Sequence, residues 1–188
     1  MIYATNKTIL AGNGSVLMRL ATFVAFFCLA LGTVPASAGD DWQTFNDPTG
    51  MFSISIPQPM AASNDTVTRK DGSVVKVIVY DLSLTAEDEL MVRVADETGQ
   101  NVDEAGAVES ALNGLAGAYT IVSHVPVTLG GHNGEDVILT DAKGRHYTDR
   151  IFFMEGHLFQ AITATPKVPT ADQSAMASRF SQSLHFLR

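Results

Sequence analysis

The sequence predicts an α+β domain: an antiparallel β-sheet of roughly seven to nine strands with helices packed on its faces. Short apolar or alternating runs recur along the chain between clusters of Gly, Pro, Asn and Asp, which is typical of strands joined by turns. Only two stretches, beginning near residues 101 and 170, space their apolar residues as a helix does. Because the strands follow one another instead of alternating with helices, a doubly wound parallel sheet is disfavoured.

An export signal is predicted at the N-terminus. An apolar run over residues 20–31 follows Arg19 and precedes the small-residue sequence Ala36-Ser37-Ala38. The run is shorter than the roughly 20 apolar residues that span a bilayer, so a cleaved signal is favoured over a membrane anchor. We therefore expect residues 1–38 to be a signal peptide, with Met18 as an alternative start, and no membrane span to remain after cleavage. The mature protein is expected to be periplasmic or secreted.

Residues 39–188 are expected to form a single globular domain, since 150 residues are enough for one core. The only cysteine, Cys28, lies before this domain, so the domain has no disulfide, thiol nucleophile or thiolate metal site. Of the 12 basic residues, Lys7 and Arg19 also precede it, which leaves a net charge of −10. This acidity argues against binding to nucleic acid or to anionic membranes.

A hairpin is predicted at the start of the domain. Trp42 to Phe45 alternates large apolar and polar residues, and Met51 to Ile56 does so more regularly. The intervening sequence Asn46-Asp47-Pro48-Thr49-Gly50 contains the residue types that favour a turn. Pro57 ends the second strand.

The middle of the chain predicts two long strands, one helix and two more strands. Ser73 to Leu82 and Glu89 to Ala95 are rich in β-branched residues. A capping-box pattern from Asn101 to Glu104 opens a helical stripe that reaches Tyr119. Strands are then expected over residues 119–129 and 135–140, joined by a flexible glycine-rich turn.

The C-terminal fifth gives the densest signal. Two apolar runs flank Glu155-Gly156, which predicts a β-hairpin with a tight turn and places Met154 opposite His157. Pro166 and Pro169 end the second strand. Thr170 is expected to cap a last helix, whose apolar stripe is Met176, Phe180 and Leu184.

Two patterns at the ends of the domain resemble the PsbP-like and DcrB-like small exported domains. They are Trp42…Phe45-x-Asp47-Pro48-x-Gly50-Met51-Phe52-Ser53-Ile54-x-Ile56-Pro57, and Arg150-Ile151-Phe152…Gly156-His157-Leu158-Phe159…Pro166 with Ala177…Arg179-Phe180-x-x-Ser183-Leu184 after it. The resemblance implies an α/β/α sandwich and a mostly non-enzymatic role. Its motifs are turn glycines and core residues, so it transfers no functional residue to this chain.

His132 and Asn133 are candidate binding residues, because a polar ring between glycines on a loop suits binding or catalysis. The competing interpretation is an ordinary surface turn, which the composition favours. None of the five histidines has the spacing of a zinc site, so no metal and no cofactor are expected.

Phe152 and Phe159 are candidates for lining an apolar ligand pocket. Core packing is the competing interpretation and is favoured, since a domain of this size needs large apolar side chains inside it.

Three functions remain open at this point. The first is an exported, non-enzymatic accessory or binding protein of the bacterial cell envelope that acts through a protein partner. The second is a periplasmic carrier of an apolar small molecule or lipid. The third is a weak hydrolase that uses His132. The sequence does not determine the oligomeric state or the identity of the partner.

Overall fold

The computed structural model describes residues 41–69, 72–100 and 102–188, so the predicted signal peptide lies outside the described residues. The elements, in chain order, are β1 (Gln43–Asn46), β2 (Phe52–Ile56), β3 (Ala61–Thr68), β4 (Val74–Ser83), β5 (Glu89–Asp96), α1 (Glu104–Ala116), β6 (Thr120–Leu129), β7 (His132–Thr140), β8 (His146–Met154), β9 (His157–Thr165), α2 (Ala171–Gln182) and β10 (His185–Phe186). The predicted α+β class is confirmed.

Seven of the strands form one antiparallel sheet in the order β3-β4-β5-β9-β8-β7-β6. The first hairpin does not join this sheet. It forms a second, three-stranded antiparallel sheet with β10, in which Phe186 pairs with Phe52. The chain after α2 thus returns as a short strand that the sequence pattern does not predict.

The helices and the small sheet cover the two faces of the large sheet. α1 packs against β6, β7 and β8 on one face, and α2 contacts β8, β9 and β2 on the other. Side chains alternate between the two faces along each strand. In β8, Phe152 and Met154 join the core beneath α2 and the small sheet, whereas Ile151 and Phe153 join the core beneath α1.

The turn between β1 and β2 is built on a buried aspartate. Asp47 accepts hydrogen bonds from the Tyr80 hydroxyl at 2.6 Å and from the Met51 backbone amide at 3.2 Å. Gly50 closes the turn with a positive φ of 73°. Burial and the bond to Asp47 raise the pKa of Tyr80 far above its ordinary value. This network fixes the first hairpin against β4.

The tight turn at Glu155-Gly156 is confirmed. Both residues have positive φ, 49° and 79°, and Met154 pairs with His157 as predicted. These angles fit a two-residue hairpin loop, in which a positive φ at both positions matches the twist of the strands.

Both helices have side-chain caps. α2 begins after Thr170 and has a capping box with Gln173. α1 begins later than predicted: its cap is Asp103, whose carboxylate accepts the Gly106 amide at 2.7 Å, whereas Asn101 lies outside the described residues. Neither helix in the described ranges has the length and apolarity needed to cross a bilayer.

Candidate binding groove beside helix α2

A groove of about 460 Å³ lies between α2 and strands β6 to β9. That volume falls in the range of ligand sites and has room for roughly 15 water molecules at about 30 Å³ each. Three regions form it: a floor of strand residues, an ion pair at one end, and a wall of small residues on α2. The residues that line the groove include Ser123, Val125, Asp136, His146, Thr148, Arg150, Thr163, Thr165, Ser174, Ala177, Ser178 and Ser181.

The floor consists of polar side chains in cross-strand rows of β8 and β9. Thr148 is opposite Thr163, and their hydroxyls share a hydrogen bond of 2.6 Å. His146 is opposite Thr165 in the next row. Thr165 is only 3% exposed, and its Oγ1 atom has no hydrogen-bond partner within the described part of the chain. A buried hydroxyl without a partner costs free energy, and because this oxygen is closed off from the groove, the cost falls on the stability of the fold.

Asp136 of β7 and Arg150 of β8 form the ion pair. Their side chains meet as a two-pronged fork, with Nε donating to Oδ1 at 2.6 Å and Nη2 to Oδ2 at 2.7 Å. Arg150 Nη1 also donates to the Ser181 carbonyl at 3.0 Å. Bidentate pairs of this kind fix geometry as well as charge. The guanidinium therefore holds the C-terminal end of α2 in place above the sheet.

The wall is the side of α2 that lines the groove, where small residues lie between Gln173 and Gln182. Ser174, Ala177, Ser178 and Ser181 follow helical spacing along this side and all line the groove. The large residues Met176 and Phe180 pack into the core instead. On the outer surface, the Arg179 guanidinium lies 4.6 Å from the centre of the Trp42 ring. The helix thus packs tightly along one side and leaves space along the other.

A buried carboxyl lies on the opposite face of the floor strand. Asp149 accepts a 2.7 Å hydrogen bond from Gln160 through Oδ2, while Oδ1 has no hydrogen-bond partner in the described ranges. Burial raises the pKa of Asp149 to about 7, although the Gln160 bond and the Arg93 charge oppose the rise. Burial of the Asp149 carboxyl therefore lowers the stability of the sheet beneath the groove.

The comparisons with known proteins bear on the fold. No known family profile matches the sequence, and the search of curated proteins finds no relative. The solution structure of cyanobacterial PsbP from Synechocystis is similar with a TM-score of 0.51 and 12% identity, over 84% of this chain and 97% of that chain. The chain has a PsbP-like fold.

A second solved structure, a Pseudomonas aeruginosa protein of unknown function described as a putative regulator, has a TM-score of 0.38 and 14% identity. It covers 73% of this chain and 94% of that chain, and a likeness this weak carries no argument. The similarity to the PsbP structure confirms, at the level of fold, the resemblance to PsbP-like domains that the sequence patterns indicate.

Within this PsbP-like fold, His132 and Asn133 do not lie on a loop. Gly130 and Gly131 form a two-residue turn with φ of 60° and 89°, so β7 begins at His132. The prediction of a longer flexible turn was wrong because two adjacent glycines suffice for the reversal. The His132 ring packs edge-on against Phe186 at 5.8 Å, and the Asn133 amide donates to Glu104. Neither residue lines the groove.

Phe152 and Phe159 are fully buried in the core beneath α2 and the small sheet. Both rings contact Phe186, at 5.5 and 5.1 Å between centres. Their placement is that of core residues, and the groove does not include them. Within the described ranges, no three His, Cys, Asp or Glu side chains converge as a metal site would require.

The groove itself was not predicted from the sequence. Two signals were available in the sequence: the Ser and Ala spacing along α2, and the threonines Thr163 and Thr165 in an otherwise apolar strand. Each has an ordinary surface or strand interpretation when taken alone. Only the fold brings them together.

Proposed function

We propose that the chain is an exported, non-enzymatic accessory protein of the bacterial cell envelope that binds a protein partner through the groove beside α2. The observation that carries the proposal is the open groove of about 460 Å³ between α2 and the sheet, which is bounded at one end by the bidentate Asp136–Arg150 pair. A domain that gains nothing from this groove would be more stable with the space filled. The open groove therefore supports a role in recognition.

The polar groups of the groove support binding more than catalysis. Asp136 and Arg150 satisfy each other in a bidentate pair, and Thr148 and Thr163 do so through their hydroxyls. Groups held in such mutual bonds give a fixed pattern of donors and acceptors. A hydrolase would instead need a base positioned to activate a nucleophile. His132, the residue considered for that role, packs against Phe186 on another part of the fold.

The apolar-carrier alternative receives less support. Its candidate residues, Phe152 and Phe159, are occupied with core packing. The groove is open at the edge strand β6, whereas sites for small molecules typically bury about 70–90% of the ligand surface.

The proposed location follows from the predicted signal peptide at residues 1–38, and the residues after it suit an oxidising compartment. The sole cysteine lies within that segment, so the domain folds without a thiol that could be oxidised.

The test is site-specific photocrosslinking in the organism that encodes the chain. Ser123→Cys places a unique thiol in the mature domain on the exposed rim of the groove in β6, and Ala62→Cys places a matched thiol on β3 at the opposite edge of the sheet. Each thiol is labelled with the same photoreactive reagent. The unsubstituted chain serves to report any labelling of Cys28.

The proposal expects one protein to recur in adducts of the Ser123→Cys variant and to be absent from those of Ala62→Cys. Adding Ser178→Leu, which fills the groove, should reduce that adduct at least tenfold. Ala175→Leu adds the same side chain at an exposed position outside the groove and should leave the yield unchanged. No protein adduct, or equal adducts from both thiols, would overturn the proposal.

A further inference from the structure

We infer that Asp149 and Arg93 form a proton-controlled ion pair in the sheet beneath α1: the pair is open while the carboxyl is protonated and closes when the carboxyl ionises. This device lies on the face of the sheet opposite the groove and does not depend on the proposed function. It is drawn from two buried polar atoms without partners, the register of three strands, and the charges around Asp149.

Two buried polar atoms lack hydrogen-bond partners in the part of the chain that the structure describes. One is Oδ1 of Asp149, a residue that is 2% exposed, and the other is Nε of Arg93. Because Oδ2 of Asp149 already accepts the Gln160 amide, the proton of the neutral acid belongs on Oδ1, where it excludes a second donor. The ionised Oδ1 instead accepts, and the guanidinium Nε–H donates. The two atoms are therefore complementary only after Asp149 has lost its proton.

The strand register places the two side chains on the same face. Arg93 of β5 lies directly opposite Gln160 of β9, whose amide donates to Asp149 of β8 at 2.7 Å. Met91 and Ile151, two positions along from Arg93 and Asp149, both join the core beneath α1. Arg93 is thus one side chain beyond the group that Asp149 already contacts. The rotatable stem of an arginine can close that step.

The electrostatics of the two groups favour closure on ionisation. Burial raises the pKa of Asp149 to about 7, and the Gln160 bond and the charge of Arg93 oppose that rise. Burial likewise lowers the pKa of Arg93, and the Asp149 charge is the largest influence that opposes this lowering. Burial thus destabilises the charged form of each group, and the other group stabilises it. A bond between them would compensate both buried charges.

The elements packed around Asp149 offer no competing cation among the described residues. On β6, His124 lies in the same cross-strand row beyond Val137, but its ring is half exposed and contacts Glu135 at 3.2 Å. The side chains that α1 buries are uncharged: Ala107, Val108, Ser110 and Ala111. Arg93 is therefore the cation that ionised Asp149 would recruit.

The remaining titratable neighbours are acids. Burial raises the pKa of both Tyr119 and Tyr147, so their hydroxyls stay neutral near pH 7. Asp136 is held in its bidentate pair on the groove side. Asp65, the other carboxylate whose charge acts on Arg93, is half-buried on the edge strand β3, where water competes for it. None of these groups prevents Arg93 from turning to Asp149.

The test follows both groups by NMR in the full chain, labelled with ¹³C and ¹⁵N, between about pH 5 and pH 9. The side-chain carboxyl carbon of Asp149 reports ionisation, and the Nε–Hε group of Arg93 reports the new bond. The variants are Asp149→Asn, Arg93→Gln and Arg93→Lys. His124→Gln is the matched control, because it removes the histidine that lies in the same cross-strand row.

The inference expects the Asp149 carbon to titrate with a midpoint of about 7 and the Arg93 Hε proton to move downfield with the same midpoint. Asp149→Asn should abolish the Arg93 response. Arg93→Gln should raise the Asp149 midpoint by at least about one pH unit, and Arg93→Lys, which keeps the charge, should restore most of that difference. His124→Gln should leave the midpoint unchanged.

Three results would overturn the inference: an Arg93 signal that does not follow Asp149, an Asp149 midpoint that Arg93→Gln leaves in place, or a response that disappears in His124→Gln. If Arg93→Gln fails to fold, the comparison of the Arg93 signal in the unsubstituted chain and in Asp149→Asn still decides.

Discussion

Strands β8 and β9 each have two different halves on the face that α2 covers. The aromatic half comprises Phe152 and Phe159, and the polar half comprises His146, Thr148, Thr163 and Thr165. In the aromatic half, Phe52 and Phe186 pack onto Phe159 with ring centres 6.1 and 5.1 Å apart. In the polar half, the same helix lies above the same two strands and leaves a groove.

The difference teaches that the size and polarity of the side chains, together with the small sheet that covers only the aromatic half, decide which part of this face is closed. Phe180 of α2 is fully buried over the aromatic half, whereas Ser174 and Ser178 line the groove over the polar half. Burying a large aromatic side chain stabilises a fold by a few kcal/mol, while a buried unpartnered hydroxyl destabilises it. The aromatic half thus supplies stability, and under the proposed function the polar half forgoes some of it to keep the groove open.

Removing an aromatic ring should have the largest effect. Phe159→Ala should lower the free energy of unfolding by about 3–5 kcal/mol, because it deletes a fully buried ring and leaves a cavity. Urea denaturation measures this change. Val125→Ala on the exposed rim is the control and should stay within about 0.5 kcal/mol of the unsubstituted chain. Equal losses in the two variants would contradict the distinction between core and groove.

The second-largest effect on stability is expected from replacing the buried acid Asp149 with a neutral residue. The folded-state pKa of Asp149, about 7, lies above its ordinary value of 3.8. Between about pH 4 and pH 7 the folded state therefore holds a proton that the unfolded state releases. The contribution of Asp149 to the free energy of unfolding is thus complete below about pH 4 and is lost as the pH rises toward 7. This pKa shift limits the loss of unfolding free energy from Asp149 to a value on the order of 4 kcal/mol.

Asp149→Asn removes that titration while keeping the shape of the side chain. The variant should become more stable than the unsubstituted chain above pH 7, and the stability difference between the two should grow between pH 4 and 7. Urea denaturation at several pH values measures it, with the exposed Asp172→Asn as control. A stability difference that does not change with pH would refute the buried-acid account.

Adding a single methyl group at the border of the aromatic half should also destabilise the protein. A Cβ atom at Gly134 would clash with the Ile151 carbonyl oxygen and the Phe152 ring. Gly134→Ala should cost about 1–3 kcal/mol, since backbone and ring must shift. The same change at Gly117, which has only ordinary contacts, should cost less. Thermal unfolding followed by circular dichroism compares the two variants.

The smallest expected effect on stability is in the polar half. Thr165→Val replaces the unpartnered hydroxyl with a methyl group of similar shape, so stability should rise by up to about 1 kcal/mol. Differential scanning calorimetry detects this change. A clear loss of stability would show that the hydroxyl already has a stabilising partner.

Much of the fold is predictable because its determinants are local. The Glu155-Gly156 turn, the Thr170 cap and the Pro-terminated strands each depend on residues within a few positions. Strand β10 was not predicted because two residues are too few to show an alternating pattern. Its pairing with β2 depends on a contact between Phe186 and Phe52, which are far apart in sequence.

The groove is less predictable because it depends on what faces the small residues of α2. Ser174 and Ser178 have the composition of an exposed helix surface, and only the register of β8 against β9 places Thr148 and Thr163 beneath them. The burial of Asp149 with Gln160 depends on the same register. Residue patterns within one strand do not contain that information.

The most direct test of the central claim is to measure thermal stability and partner capture together in Ser178→Leu. If the polar half is a binding site kept open at a cost in stability, the midpoint of unfolding should equal or exceed that of the unsubstituted chain while capture by the Ser123→Cys crosslink is lost. A lowered midpoint with capture retained would contradict the account.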